Sequence, residues 1–204
     1  AITVAVHDGQ GVLAERTALD ARRHTELLAP LVQEALDLAG LTPDQLTDVA
    51  VGTGPGPFTG LRVGLVAART LSYVWGVPLH GTMSLGALAE RVRRELQPDA
   101  EYLIATDARR REVYWARYTD GARVAGPEVC KPADLPVDAV DVLSVPDNIE
   151  VAVEAAETTY RAPKPAGLVQ VASLDQAPEP LVPLYLRRPD AVPPKQAPKS
   201  PALP

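Results

Sequence analysis

The period of apolar positions changes several times along the chain. Ile2 to Val6 alternates β-forming residues, Asp8-Gly9 signals a hairpin turn, and Gly11 to Thr17 alternates again. This predicts an antiparallel pair. Leu27, Leu28, Leu31, Val32, Ala35, Leu36 and Ala39 then recur at helical spacing, and Gly40 stops the run. Pro30 suits a first helical turn, so the regular helix is expected to begin near it. Val49-Ala50-Val51 reads as a short buried strand that enters the glycine-rich loop Gly52 to Phe58. Thr59 is placed to cap a helix through Trp75. A short strand over 77–80 and a helix over 85–96, capped by Ser84, complete this part.

The pattern restarts at Pro98-Asp99. Strands are predicted at 102–105, 113–118 and 124–129, a helix at 149–160, and a strand-like piece at 181–186. The order ββαβαβα followed by strands predicts a mixed α/β sheet architecture in two similar halves. We expect an N-terminal half over 1–98, a C-terminal half over 99–188 and a tail over 189–204. Eleven of the 21 prolines lie between Pro163 and Pro204, and proline removes a backbone donor and fixes φ. The tail is therefore expected to be extended.

Composition narrows the function. The chain has 204 residues, 46% of them hydrophobic and 23% charged, which fits a globular protein. No run of about 18 apolar residues exists to span a membrane. The net charge of −6 gives no general footprint for nucleic acid. The single cysteine, Cys130, excludes an internal disulfide and fits a reducing cytosol. Three histidines without ligand spacing leave no metal site to expect.

Two segments carry candidate chemistry. In the stretch Gly52 to Gly64, a strand, a glycine loop and a helix start offer outward N–H groups, so Gly54, Gly56, Thr59 and Gly60 are candidate anion contacts. Pro55 and Pro57 remove two donors, no Lys-Ser/Thr pair follows, and close helix packing is the competing reading. Asp107 and Arg109, in the run Asp107 to Tyr114, could hold a metal-bound or phosphorylated ligand, or simply pair within a charged hairpin turn.

Three segments, Arg23-His24-Thr25-Glu26-Leu27-Leu28-Ala29-Pro30, Gly54 to Gly64 with its Phe-Thr-Gly-Leu-Arg continuation, and Asp107 to Tyr114, together resemble the TsaB (YeaZ) family of bacterial tRNA threonylcarbamoyladenosine biosynthesis proteins. The ending Pro183-Leu184-Tyr185-Leu186-Arg187-Arg188-Pro189 fits as well. The resemblance implies two ribonuclease-H-like halves of the sugar kinase, Hsp70 and actin (ASKHA) superfold. It implies a non-catalytic scaffold that binds the catalytic paralogue TsaD and works with the ATPase TsaE. The product would be the N6-threonylcarbamoyl form of adenosine 37 in tRNA. The tRNA would be met only through the complex, and the isolated chain would form homodimers. No cofactor is expected to be required, with weak nucleotide binding compatible.

The residues agree with a non-catalytic part. The helix from Ser84 has no histidine where a TsaD-like enzyme carries a His-x-x-x-His metal pair, and Asp107-Ala108-Arg109 stands where its glycine-glycine-histidine loop would open. The family's first strand, with its Asp-Thr phosphate motif, is not seen before Ala1, and 138–174 is shorter than the family pattern. The partner surface is expected on two helical stripes, Leu61, Leu65, Ala68 and Leu71 on one and Leu28, Leu31, Ala35 and Leu38 or Ala39 on the other. A nucleotide-dependent ATPase or phosphotransferase of the same superfold is the alternative, and a glycoprotease-like peptidase the remote one.

Overall fold

The computed structural model describes residues 2–19, 24–97 and 101–187. The expected Pro-rich tail, the expected boundary at 98 and Arg23 lie outside these residues.

Strands β1 (Ile2–His7) and β2 (Val12–Ala18) form the antiparallel hairpin that the alternation predicts. Asp8 closes its turn by accepting the N–H groups of Gln10 and Gly11 at 2.8 and 2.7 Å, and Gly9 takes the left-handed φ of 89°. Helix α1 (His24–Ala39) covers the hairpin. Ala35 and Leu36 pack with Val6 and Ala14. Here the expectation fails, because Pro30 lies inside the helix and not at its start. Leu27 and Leu28 ahead of it are half-buried, so tertiary packing offsets the hydrogen bond that proline cannot make.

Strand β3 (Val49–Gly54) runs parallel to β4 (Leu79–Met83), and helix α2 (Phe58–Trp75) makes the crossover between them. The buried His80 ring lies 2.9 Å from the Asp48 carboxylate, tying β4 to the residue just before β3. Gly76, at φ 68°, ends α2 in the left-handed region. Two expected caps are corrected. Thr59 is inside α2, whose N-cap is Pro57 with no side-chain bond, and Ser84 is the first residue of α3 (Ser84–Leu96), after Met83.

The second half is one five-stranded sheet. It contains β5 (Glu101–Asp107), β6 (Val113–Thr119), β7 (Ala122–Cys130), β8 (Ala139–Ser144) and β9 (Glu154–Thr159), in the order β7-β6-β5-β8-β9. β5 is central, antiparallel to β6 and parallel to β8. The first half repeats the flanks of this pattern as an antiparallel pair, β2-β1, and a parallel pair, β3-β4. Among the described residues no strand stands between those pairs as β5 stands between β6 and β8.

One face of the large sheet meets α3. Leu85, Leu88, Ala89 and Val92 pack on Tyr102, Ile104, Tyr114, Ala116 and Tyr118. α3 also touches β3, β4 and the short helix α4 (Ala166–Val171), so it joins the two halves. The other face buries Leu103, Ala105, Val113, Trp115 and Leu143 under Leu135, Val137, Ile149, Val151 and Val153, residues of loops and not of a helix.

The predicted helix at 149–160 is therefore wrong. Ile149, Val151, Val153 and Ala155 alternate with exposed glutamate and alanine, and all four pack on the same core. The period is two, and the segment continues into β9, parallel to β8. Its Ala and Glu content favours helix, but the alternation and the pairing with β8 prevail. β8 and α4 were not expected.

Candidate functional site

The glycine loop is built for close approach. Gly54 has φ 101° and is buried, with a cis peptide to Pro55. A Cβ placed on Gly54 would lie 3.1 Å from both the carbonyl oxygen of Leu184 and the Cδ2 of Leu61. Gly56, in contrast, faces open space, Gly60 is half-buried, and Thr59 is exposed. At the start of α2, Leu61 N–H donates to Pro57 C=O at 2.9 Å. Pro55 and Pro57 supply no N–H. The loop thus presents a bare glycine surface and the first-turn N–H groups of α2.

Asp107 ends β5 at the other candidate segment. Its carboxylate accepts the Arg109 N–H at 2.7 Å and pairs with the Arg109 guanidinium at 3.2 Å. Arg109, Arg110 and Arg111 all have positive φ, at 63°, 56° and 60°. Three successive non-glycine residues in this region cost roughly 1–2 kcal/mol each. Backbone bonds hold the turn: Ala108 N–H to Glu112 C=O at 2.9 Å, and Glu112 N–H to Arg109 C=O at 3.0 Å.

The segment 181–187 brings these two places together. Leu184 N–H donates to Thr53 C=O at 2.8 Å. The Tyr185 ring tilts against Phe58, centroids 5.2 Å apart. Arg62 lies over Phe58, its guanidinium carbon 3.9 Å from the ring centre, and its Nε donates to the Tyr185 hydroxyl at 3.2 Å. Two residues on, Arg187 donates to Ala108 C=O at 3.1 Å and forms an ion pair with Glu112. Residue spacing alone did not reveal this assembly. Its only trace was the run Pro183 to Arg187 at the end of the strand-like piece.

The expected partner stripes face inward, Leu38 excepted. Leu31 and Ala35 of α1 are buried, as are Leu61, Leu65 and Ala68 of α2 at 9%, 7% and 8% exposure, while Leu28 and Leu71 are half-buried. The reason is that α1 packs on the β1-β2 hairpin and α2 on β3, and each helix gives its most regular apolar stripe to the core. The outward face of α2 is a different apolar set. Val66, Tyr73 and Val74 are 66%, 87% and 68% exposed, with Arg69 and Thr70 among them, and Leu38 is exposed on α1. Beside Tyr73 a shallow groove is lined by Arg69, Ser72, Leu79, Pro178, Pro180 and Leu181.

Other reactive groups sit in quiet settings. Burial pushes the half-buried Cys130 thiol up, and Asp134 and Glu128 add to the shift, so it is held as thiol and not as nucleophilic thiolate. Among the described residues no three His, Cys, Asp or Glu side chains gather as metal ligands, and no helix is long and apolar enough to cross a membrane.

Comparison with known proteins agrees with this architecture. The family model described as TsaD: tRNA N6-adenosine threonylcarbamoyltransferase matches residues 6–176. An uncharacterised Mycobacterium tuberculosis protein is 47% identical over 184 residues, covering 89% of this chain and 83% of the relative. The Escherichia coli tRNA threonylcarbamoyladenosine biosynthesis protein TsaB is 37% identical over 97 residues, covering 48% of this chain and 42% of that protein. The solved structure of YeaZ from Pseudomonas aeruginosa superposes with a TM-score of 0.70 at 26% identity, covering 90% of this chain and 93% of that one. With the duplicated sheet pattern, the glycine loop and the Asp107 turn in place, the chain belongs to the TsaD family of threonylcarbamoyltransferase-related proteins, as a TsaB/YeaZ-type member with the ASKHA-type fold.

Proposed function

We propose that this chain acts in biosynthesis of threonylcarbamoyladenosine in tRNA, as a non-catalytic scaffold that binds a TsaD-like catalytic paralogue in the cytoplasm. The observation that carries the reading is the exposed apolar face of α2. Val66, Tyr73 and Val74 form an apolar patch on a helix whose opposite side is already buried. Single exposed apolar residues need no explanation, but three on one helix face, each 66–87% exposed, support an interaction site. The groove beside Tyr73 extends it. A specific interface takes about 800 Å² from each partner, which two helices and their edges can supply. The same face would pair two copies when no paralogue is present. A TsaE-like ATPase joins the complex, and tRNA is met through it. No cofactor is required of this chain, and any nucleotide binding is weak.

The test is light-scattering chromatography of the chain alone and mixed with the TsaD-like protein of the same organism. A mass equal to one copy of each, formed at the expense of any homodimer, supports the scaffold. Val66→Glu and Tyr73→Glu should remove that species while leaving the circular dichroism of the folded chain unchanged. No shared peak, with nucleotide and the ATPase present, rejects the reading.

A further inference from the structure

We propose that the segment Leu181–Arg187 is a clasp that couples the glycine loop of the first half to the strained arginine turn of the second. The inference goes beyond the partner role and does not depend on it.

One end of the clasp is a peptide-strand docking site. Thr53 C=O receives Leu184 N–H at 2.8 Å, and the absence of a Cβ on Gly54 makes room for the Leu184 carbonyl. Leu181 fills the space over Gly81, where an added Cβ would stand 2.8 Å from its Cδ1. Tyr185 adds the ring contact with Phe58 and accepts from Arg62 at 3.2 Å. Pro55 and Pro57 remove two of the loop's donors, and its Thr53 carbonyl is already taken by a backbone N–H.

The other end is a charged latch. Arg187 is only a quarter exposed, and it meets both the Ala108 carbonyl and the Glu112 carboxylate. These two residues bracket Arg109-Arg110-Arg111, whose left-handed backbone persists only if its surroundings hold it. Between the ends, Leu186 packs on the α3-covered core. Three consecutive anchors therefore engage the first half, the inter-half core and the second half, in a stretch of a few residues. Lifting Leu184 from Thr53 would pull on the arginine turn through Arg187.

Coupling predicts reciprocity, which hydrogen exchange on the full chain reads directly. In Arg187→Ala, amides of both 107–113 and 53–61 should exchange about tenfold faster, while the β5 core amides of Leu103 and Ile104 stay protected. Tyr185→Ala works from the opposite end and should loosen 107–113 as well as 53–61. Should Arg187→Ala fail to fold, Glu112→Gln removes the latch charge with little change of shape and should give the same two-site pattern. Faster exchange confined to the mutated end in either variant overturns the clasp, since each anchor would then be a local prop. Unchanged exchange at both ends overturns it equally.

Discussion

At the scale of single residues, burial decides what a substitution does. Leu65 and Ala68 stand on the stripe that sequence spacing offered to a partner, yet they are 7% and 8% exposed. Leu65→Glu or Ala68→Glu should cost several kcal/mol of stability, on the order of 3, by burying a carboxylate without a partner. Urea unfolding checks this, and an unchanged midpoint would return the stripe to the surface. Gly126 makes a different case. It combines φ 76° with a position where a Cβ would stand 2.7 Å from the Trp115 carbonyl oxygen. Gly126→Ala should lose roughly 2–4 kcal/mol, from the left-handed conformation plus the clash with backbone. Tyr118 offers a gain. Its ring stacks on Tyr102 at 5.3 Å, and burial pushes its hydroxyl well above the ordinary range, with no hydrogen-bond partner among the described residues. Tyr118→Phe keeps the stack and removes the unpaired group, so it should raise stability by about 1 kcal/mol, seen as a higher thermal midpoint.

At the scale of elements, α3 carries a charge network that ties it to the second half. Hydrogen bonding from Arg93, then Arg94, holds the Glu90 carboxyl below its ordinary value, while partial burial opposes the shift. Arg91 does the same for Glu95, with Arg161 adding a contact at 2.5 Å from beyond β9. Both carboxyls bind protons less readily folded than unfolded. Their stabilisation is therefore complete above about pH 4.5, the ordinary glutamate value, and is lost as pH falls through the lower folded values. Thermal midpoints measured downward from pH 6 should drop more steeply in the native chain than in an Arg161→Ala variant. Much of the element order is legible in the sequence. The first hairpin, the crossover α2 and the β5-β6 hairpin follow from alternation, helical spacing and turn residues within ten or so positions. The segment 149–160 reads as helix by its alanines and glutamates, although Ile149, Val151, Val153 and Ala155 alternate with period two, and pairing with β8 settles it as strand.

At the scale of the whole molecule, the two halves meet through α3 and through the segment 181–187, and the proposed partner face is a third feature on α2. If α2 pairs two copies, the unfolding midpoint of the isolated chain should rise with protein concentration, and Val66→Glu should abolish that dependence. A concentration-independent midpoint with a monomer mass would leave no homodimer. The sequence by itself determined the element types of the first half, the glycine loop, the charged turn after β5 and the family motifs, because each is encoded by neighbours in the chain. Tertiary structure alone decided which apolar stripe of α2 is core. Apolar residues lie on both sides of the helix, and docking on β3 is what makes the Leu61, Leu65 and Ala68 side the buried one. It also decided that Leu184, Tyr185 and Arg187 belong with Thr53, Phe58 and Glu112. Arg62 and Tyr185 are 123 positions apart, and Arg187 and Ala108 are 79 apart. No local propensity records such pairs, because they exist only once the two halves have folded against each other.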